Sequence, residues 1–370
     1  MLKGGAYALA VCVVGFVLYG VFAALPWERY SGNQYLFRFQ QIVIRPDPGL
    51  VKRAAMADGR LWVLSQAGEL WTIQEEVSGA EKRPTPERVI DICARDGQLT
   101  ALTAPRLYST AWTLRRWTGA GWTTLATLDE HGSALAALAC DTGGVIVLTA
   151  NRLITFRDNG RTEVALSQRV PGAVIGAYLV TEDMIFVGVN AGEFGGGMMR
   201  VRRRDGATTQ IEDNSWGDCE GPLGGCDNVD SIVPSPWTPG CVATAIGRFG
   251  IGYYGGQGRI VEVCGERVIP RYFRPYCLDQ PDPPPAPGRE PYCTVSFFNL
   301  FPMGDKLQAI GSDGVHLIDR TGAGQRSPIP EFKPYGPFGV SFAAPGYVLV
   351  IGDEARWRSD KKGRPLLALR

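Results

Sequence analysis

Few residues in this chain of 370 could carry a reaction. Histidine is the commonest general acid or base near neutral pH. The chain has two, His131 and His316, and neither lies in a recognisable motif. Both therefore read as structural. No Gly-x-Ser-x-Gly phrase marks a serine nucleophile. Gly195-Gly196-Gly197 does not open a helix after a strand, as a dinucleotide site requires. Carboxylates are what remain. Glu193 is the lone charge in Asn190-Ala191-Gly192-Glu193-Phe194-Gly195-Gly196-Gly197. Together with an acid from residues 213–230, it is the one candidate catalytic residue, an acid or base for glycosidase-type chemistry.

Binding chemistry is better represented. The same glycines either gather backbone N–H groups around an anion or form a strained turn, their commoner use. Arg248, Phe249, Tyr253 and Tyr254 lie close together between glycines, and aromatic planes beside an arginine suit sugars, peptides or a partner surface. Trp216 adds a further aromatic plane. The candidate binding set is thus Asn190, Glu193, Phe194, Trp216, Arg248, Tyr253 and Tyr254. Asp213, Asp218, Glu220, Asp227 and Asp230, with Asn214 and Asn228, offer oxygens of the kind calcium takes. The Asp-x-Asp-x-Asp-Gly order is absent, so solvated loop charges are the expected reading and neither metal nor cofactor is assigned. A formal net charge of +1 gives no electrostatic case for nucleic acid.

The address is written at the N-terminus and in the cysteines. Ala6 to Leu25 is an uncharged run of twenty residues between Lys3 and Glu28. At helical rise it just crosses a bilayer core, with Lys3 holding the N-terminus in the cytoplasm. A membrane anchor or a cleaved signal peptide over residues 1–29 follows, and either one exports residues 30–370 to the cell envelope. Beyond that run are eight cysteines, an even number that suits disulfides in an exported chain. Cys277–Cys293 and Cys219–Cys226 bracket loops, the first of them proline-rich. Cys241–Cys264 joins neighbouring strands. Cys93 and Cys140 occupy equivalent places in successive repeats.

The elements that must position these residues come from a recurring phrase, a tight turn followed by an apolar run. It appears at Asp58-Gly59-Arg60-Leu61-Trp62-Val63-Leu64, at Asp96-Gly97-Gln98-Leu99, at Gly143-Gly144-Val145-Ile146, at Asp183-Met184-Ile185-Phe186, at Pro239-Gly240-Cys241-Val242, at Gly304-Asp305-Lys306-Leu307 and at Pro345-Gly346-Tyr347-Val348. The spacing of roughly forty residues is that of a four-stranded blade. One strand precedes each turn and one follows it. A third carries aromatic or apolar residues, as in Leu70-Trp71-Thr72-Ile73, and glycine-bearing hairpins such as Asp205-Gly206 lead to a fourth. Residues 35–48 read as a further strand that closes the ring.

On these repeats the chain resembles the bacterial seven-bladed β-propeller superfamily over residues 35–370. The resemblance implies a seven-bladed, all-β ring that binds or scaffolds, with ligands taken on one face. Residues 190–197, 213–230, 248–257 and 274–293 are insertions of the two connection types that emerge on one face, over blades four to six. The expectation is an envelope binding module for a protein, peptide or glycan, working through those loops. The alternative is a propeller hydrolase or lyase acting on a carbohydrate, with Glu193 at its centre.

Overall fold

The computed structural model describes residues 51–65, 67–73, 80–106, 109, 111–129, 133–157, 160–172, 175–191, 196–213, 221–249, 256–275, 294–311, 314–327, 339–344, 347–351 and 366–369. All belong to one compact unit, Asp47–Arg370. The N-terminal apolar run and the strand expected at 35–48 lie outside the described residues. No helix among the described residues is long and apolar enough to cross a membrane.

Among the described residues every regular element is a β-strand, and each sheet is antiparallel with its strands in sequence order. The first strands are Val51–Ala57, Arg88–Arg95, Leu135–Asp141, Ile175–Val180, Val229–Pro234 and Phe297–Met303. Each packs against the first strand of the next sheet, so these strands form the inner ring. Turn chemistry explains the hairpins. Asp58 and Gly59 have φ of 51° and 63°, and Asp96 and Gly97 have 50° and 75°. Two successive positive values make the primed turn whose twist matches that of paired strands.

The expectation of seven four-stranded blades is corrected. Among the described residues, six sheets have four strands, and the last, Gly339–Ala344, Tyr347–Ile351 and Leu366–Leu369, has three. Its first strand packs against those of the sixth and first blades. The miscount has a physical source. The recurring phrase marks only the first hairpin of a blade and says nothing of the strands beyond it. After the seventh phrase come Asp353, Glu354, Arg356, Arg358, Asp360, Lys361 and Lys362, with no apolar alternation before Leu366.

Blades adhere through apolar faces, since no ladder joins them. Trp62, Leu64 and Ile92 seal the first interface, Leu102, Leu114 and Leu138 the second, and Ile146, Val187 and Val201 the third. Across the axis, the Arg53 guanidinium from blade one lies 4.4 Å from the Tyr178 ring of blade four. It also bonds Asp91 of blade two at 3.2 Å. Tyr178 in turn donates from its hydroxyl to the Leu138 carbonyl of blade three. These contacts tie four blades together at the axis.

One backbone device recurs. In all six complete blades, the pairing of first with second strand skips one residue of the first strand. The extra residues are Lys52, Ile90, Ala136, Gly176, Asp230 and Phe298. Each is a bulge in which two residues face one across the ladder.

Two disulfides are formed as the cysteine spacing suggested. Cys93–Cys140 joins the inner strands of blades two and three, and Cys241–Cys264 clips two strands of blade five. Cys226 is also disulfide-bonded. Cys219, Cys277 and Cys293 lie outside the described residues.

Candidate functional site

The second and third strands of blade four, Met184–Asn190 and Gly196–Arg202, end beside the segment that enters blade five. The Gly196 N–H donates to the Gly225 carbonyl and the Gly197 N–H to the Asp227 carbonyl, both at 2.7 Å. These two amides are therefore spent within the protein rather than turned towards an anion. A Cβ at Gly196 would come 1.8 Å from the Asp227 oxygen, so only glycine allows this approach.

A buried ion pair holds the segment down. Arg259, on the third strand of blade five (Gly256–Cys264), meets Asp227 at 2.6 Å, with side chains 6% and 2% exposed. The same guanidinium donates to the carbonyls of Gly221 and Pro222, at 2.7 and 2.8 Å. Asp227 also accepts from the Gly224 N–H. Burial of two charges is tolerated only when the remaining donors are satisfied, and here they are spent on backbone. The next connection reaches the same place. The Thr294 hydroxyl donates to the Gly258 carbonyl at 2.6 Å, and Gly258 closes against the Val295 carbonyl. The described ends of all four long connections thus meet over blades four to six.

Among the expected site residues, Asn190 ends the second strand of blade four and donates from its amide to Asp230, the bulge residue of blade five. Arg248 lies on the second strand of blade five, opposite Gln257. Glu193, Phe194, Trp216, Tyr253 and Tyr254 lie outside the described residues, as does His131. His316 is fully buried, its Nδ1 3.1 Å from the Tyr272 hydroxyl. Asp227 and Asp230 correct the expectation of solvated loop charges. Asp227 is buried against Arg259. The Oδ2 of Asp230 is sealed from solvent without a partner, close against Gly247. Sequence reasoning missed both because Gly224-Gly225-Cys226-Asp227-Asn228 looks like a surface loop, and Asp230 follows two residues after it.

Burial pushes the Asp230 carboxyl up to about 8, the hydrogen bond from Asn190 offsetting part of the shift. Unfolded, it would lose its proton near pH 4. The folded protein therefore holds a proton that the unfolded chain lacks between about pH 4 and pH 8, and stability falls as pH rises through that window. Full linkage would amount to about 5 kcal/mol. The residue as a whole is only half-buried, so we expect about 3 kcal/mol. Urea unfolding of the Asp230→Asn protein and its parent at about pH 5 and pH 8.5 checks this. The variant should gain on the parent as pH rises, and a difference that ignores pH would refute the assignment.

One other cluster resembles a metal site. Glu262 lies beside Cys241 and Cys264. The two sulfurs are joined to each other, and Glu262 accepts from Ser235 and from both Nε and Nη2 of Arg271. Burial alone would raise its pKa, but these hydrogen bonds hold it below the usual carboxylate value. The group is committed to the fold.

No protein-family model matches the chain, and no curated protein does. Solved structures do match. A YCF48 bound to a D1 peptide aligns with TM-score 0.52 at 11% identity, over 82% of this chain and 89% of that one. An extracellular domain from B. thetaiotaomicron gives 0.52 at 13%, over 82% of this chain but 37% of its own. YCF48 from Cyanidioschyzon merolae gives 0.51 at 8%, over 83% and 93%. The chain is a β-propeller. At these identities the likeness fixes the fold of the propeller and leaves its ligand open.

Proposed function

We propose that this propeller is an exported, membrane-anchored binding module that recognises a protein, peptide or glycan of the cell envelope through the loops of blades four to six. The observation that carries the reading is the convergence of four long connections on one place, fixed there by the buried Arg259–Asp227 pair. A rigid ring that gathers its loops over three blades is a frame for recognition, because binding residues concentrate on loops positioned by a scaffold. Disulfides favour an oxidising compartment. The twenty-residue apolar run supplies the anchor. A propeller of like fold carries a bound peptide, which supports a peptide or protein segment as ligand.

The test is an array of immobilised peptides and glycans probed with the full chain and with the double variant Tyr253→Ala, Tyr254→Ala. Loss of two aromatic anchors should weaken capture by roughly 30-fold or more, with thermal unfolding nearly unchanged. Undiminished capture by the folded variant would sink the assignment of these loops.

A further inference from the structure

A second site lies on the opposite face, where the first-to-second and third-to-fourth hairpins turn. Between blades two and three is a cleft of about 640 Å³. That volume falls in the range of small-molecule sites, roughly 300–1,000 Å³.

Its lining is unusual for a blade interface. Moving outward along the second strand of blade two (Gln98–Ala104), the interface residues change from Leu102 to Thr100 to Gln98. Along the third strand, Ala111–Trp117, Leu114 gives way to Arg116. The equivalent end of the interface between blades one and two is filled. There Trp62, Trp117 and Trp122 pack edge to face, with ring centroids 5.4 to 6.4 Å apart. Three indoles close the first gap, whereas the second stands open.

Among the described residues, four arginines line the opening, Arg95, Arg116, Arg157 and Arg161, against a single acid, Asp96. Two are compensated. Arg95 bonds Asp96 at 2.9 Å, and Arg161 bonds Glu163 at 2.8 Å. Arg116 and Arg157 have no carboxylate partner among the described residues, and the Arg116 Nε is buried without any acceptor. A buried donor left unmade is costly, and a guanidinium is shaped to bond tetrahedral or carboxylate oxygens in pairs. Apolar side chains line the same cleft. Leu125, on the fourth strand of blade two (Trp122–Asp129), is the bulged residue between Thr124 and Ala126 and is 40% exposed. Phe156, from blade three, lines it too, with the Arg161 guanidinium 5.8 Å from its ring centroid.

We propose that this cleft binds a small organic dianion of the phosphate type, its head on Arg116 and Arg157 and its apolar body on Leu125. Uncompensated positive charge sets the head, and the exposed leucine within the same cleft sets the body. This site shares no residue with the loops of blades four to six.

Calorimetric titration of the full chain in nonionic detergent tests it, with 2-naphthyl phosphate as the probe. Saturable binding that weakens with added salt is expected. Arg116→Gln and Arg157→Gln should each cost about tenfold or more in affinity, the loss of a charge-assisted contact. Leu125→Asn should weaken the naphthyl ester several-fold and leave inorganic phosphate untouched. Arg157 is exposed, so its variant retains the test if Arg116→Gln fails to fold. Three results overturn the proposal: no saturable binding, unchanged affinity in the folded Arg157→Gln protein, or 2-naphthol binding as tightly as its phosphate. Inorganic phosphate binding as tightly as the ester would overturn the apolar half of it.

Discussion

Arg259→Ala should destabilise the propeller by about 4 kcal/mol, because removal of one partner leaves a buried charge unanswered. The Asp227 side chain is 2% exposed and cannot recover water. The carbonyls of Gly221 and Pro222 lose their donor in the same step. Thermal unfolding should drop by on the order of 10 °C. Capture of ligand by the loops of blades four to six should weaken as well, since their entry is held by this guanidinium. The double variant Arg259→Met, Asp227→Leu discriminates between causes. If the penalty is that of a stranded charge, the pair of apolar residues should recover most of the lost stability. A double variant as unstable as Arg259→Ala would show instead that the backbone hydrogen bonds carry the effect.

Removal of the Cys93–Cys140 bridge, by alanine at both positions, should cost about 4 kcal/mol. The bridge closes a loop of separation 47, and constraint of the unfolded chain rises with the logarithm of that length. The bridge also ties two blades whose other adhesion is side-chain packing. Denaturant unfolding of the double alanine variant against the parent measures the cost. A difference below about 1 kcal/mol would mean that the unfolded chain is already constrained there. Cys241–Cys264, of separation 23, should count for somewhat less on the same logarithm.

The blade plan was legible in the sequence because its signals are local. Asp58-Gly59 and Asp96-Gly97 announce primed turns, and the runs beside them alternate or are wholly apolar. Cys93 and Cys140 could be matched by their equivalent places in successive repeats, and Cys241 and Cys264 by their places on neighbouring strands of one blade. The count of complete blades could not, since a phrase that marks a hairpin says nothing of the two strands after it. At the candidate site the sequence showed where chain length accumulates and missed what fastens it. Arg259 sits in an ordinary strand pattern, Arg259-Ile260-Val261-Glu262-Val263, and nothing local tells that its partner is Asp227. Long-range pairs of this kind, and the vacant arginines at the second blade interface, depend on how blades turn against one another.

The six bulges show how such a ring can diversify. At one register position the backbone repeats six times, yet the residue there is Lys52, Ile90, Ala136, Gly176, Asp230 or Phe298. A cation, an acid, an aromatic ring and a bare glycine all occupy it without altering the ladder on either side. The inner strands thus keep one pairing pattern around residues of unlike chemistry, each fitted to its own surroundings: a Cβ at Gly176 would come 2.3 Å from the Val229 carbonyl oxygen, so that position admits glycine alone. A collar built this way differs in chemistry from blade to blade while its backbone repeats.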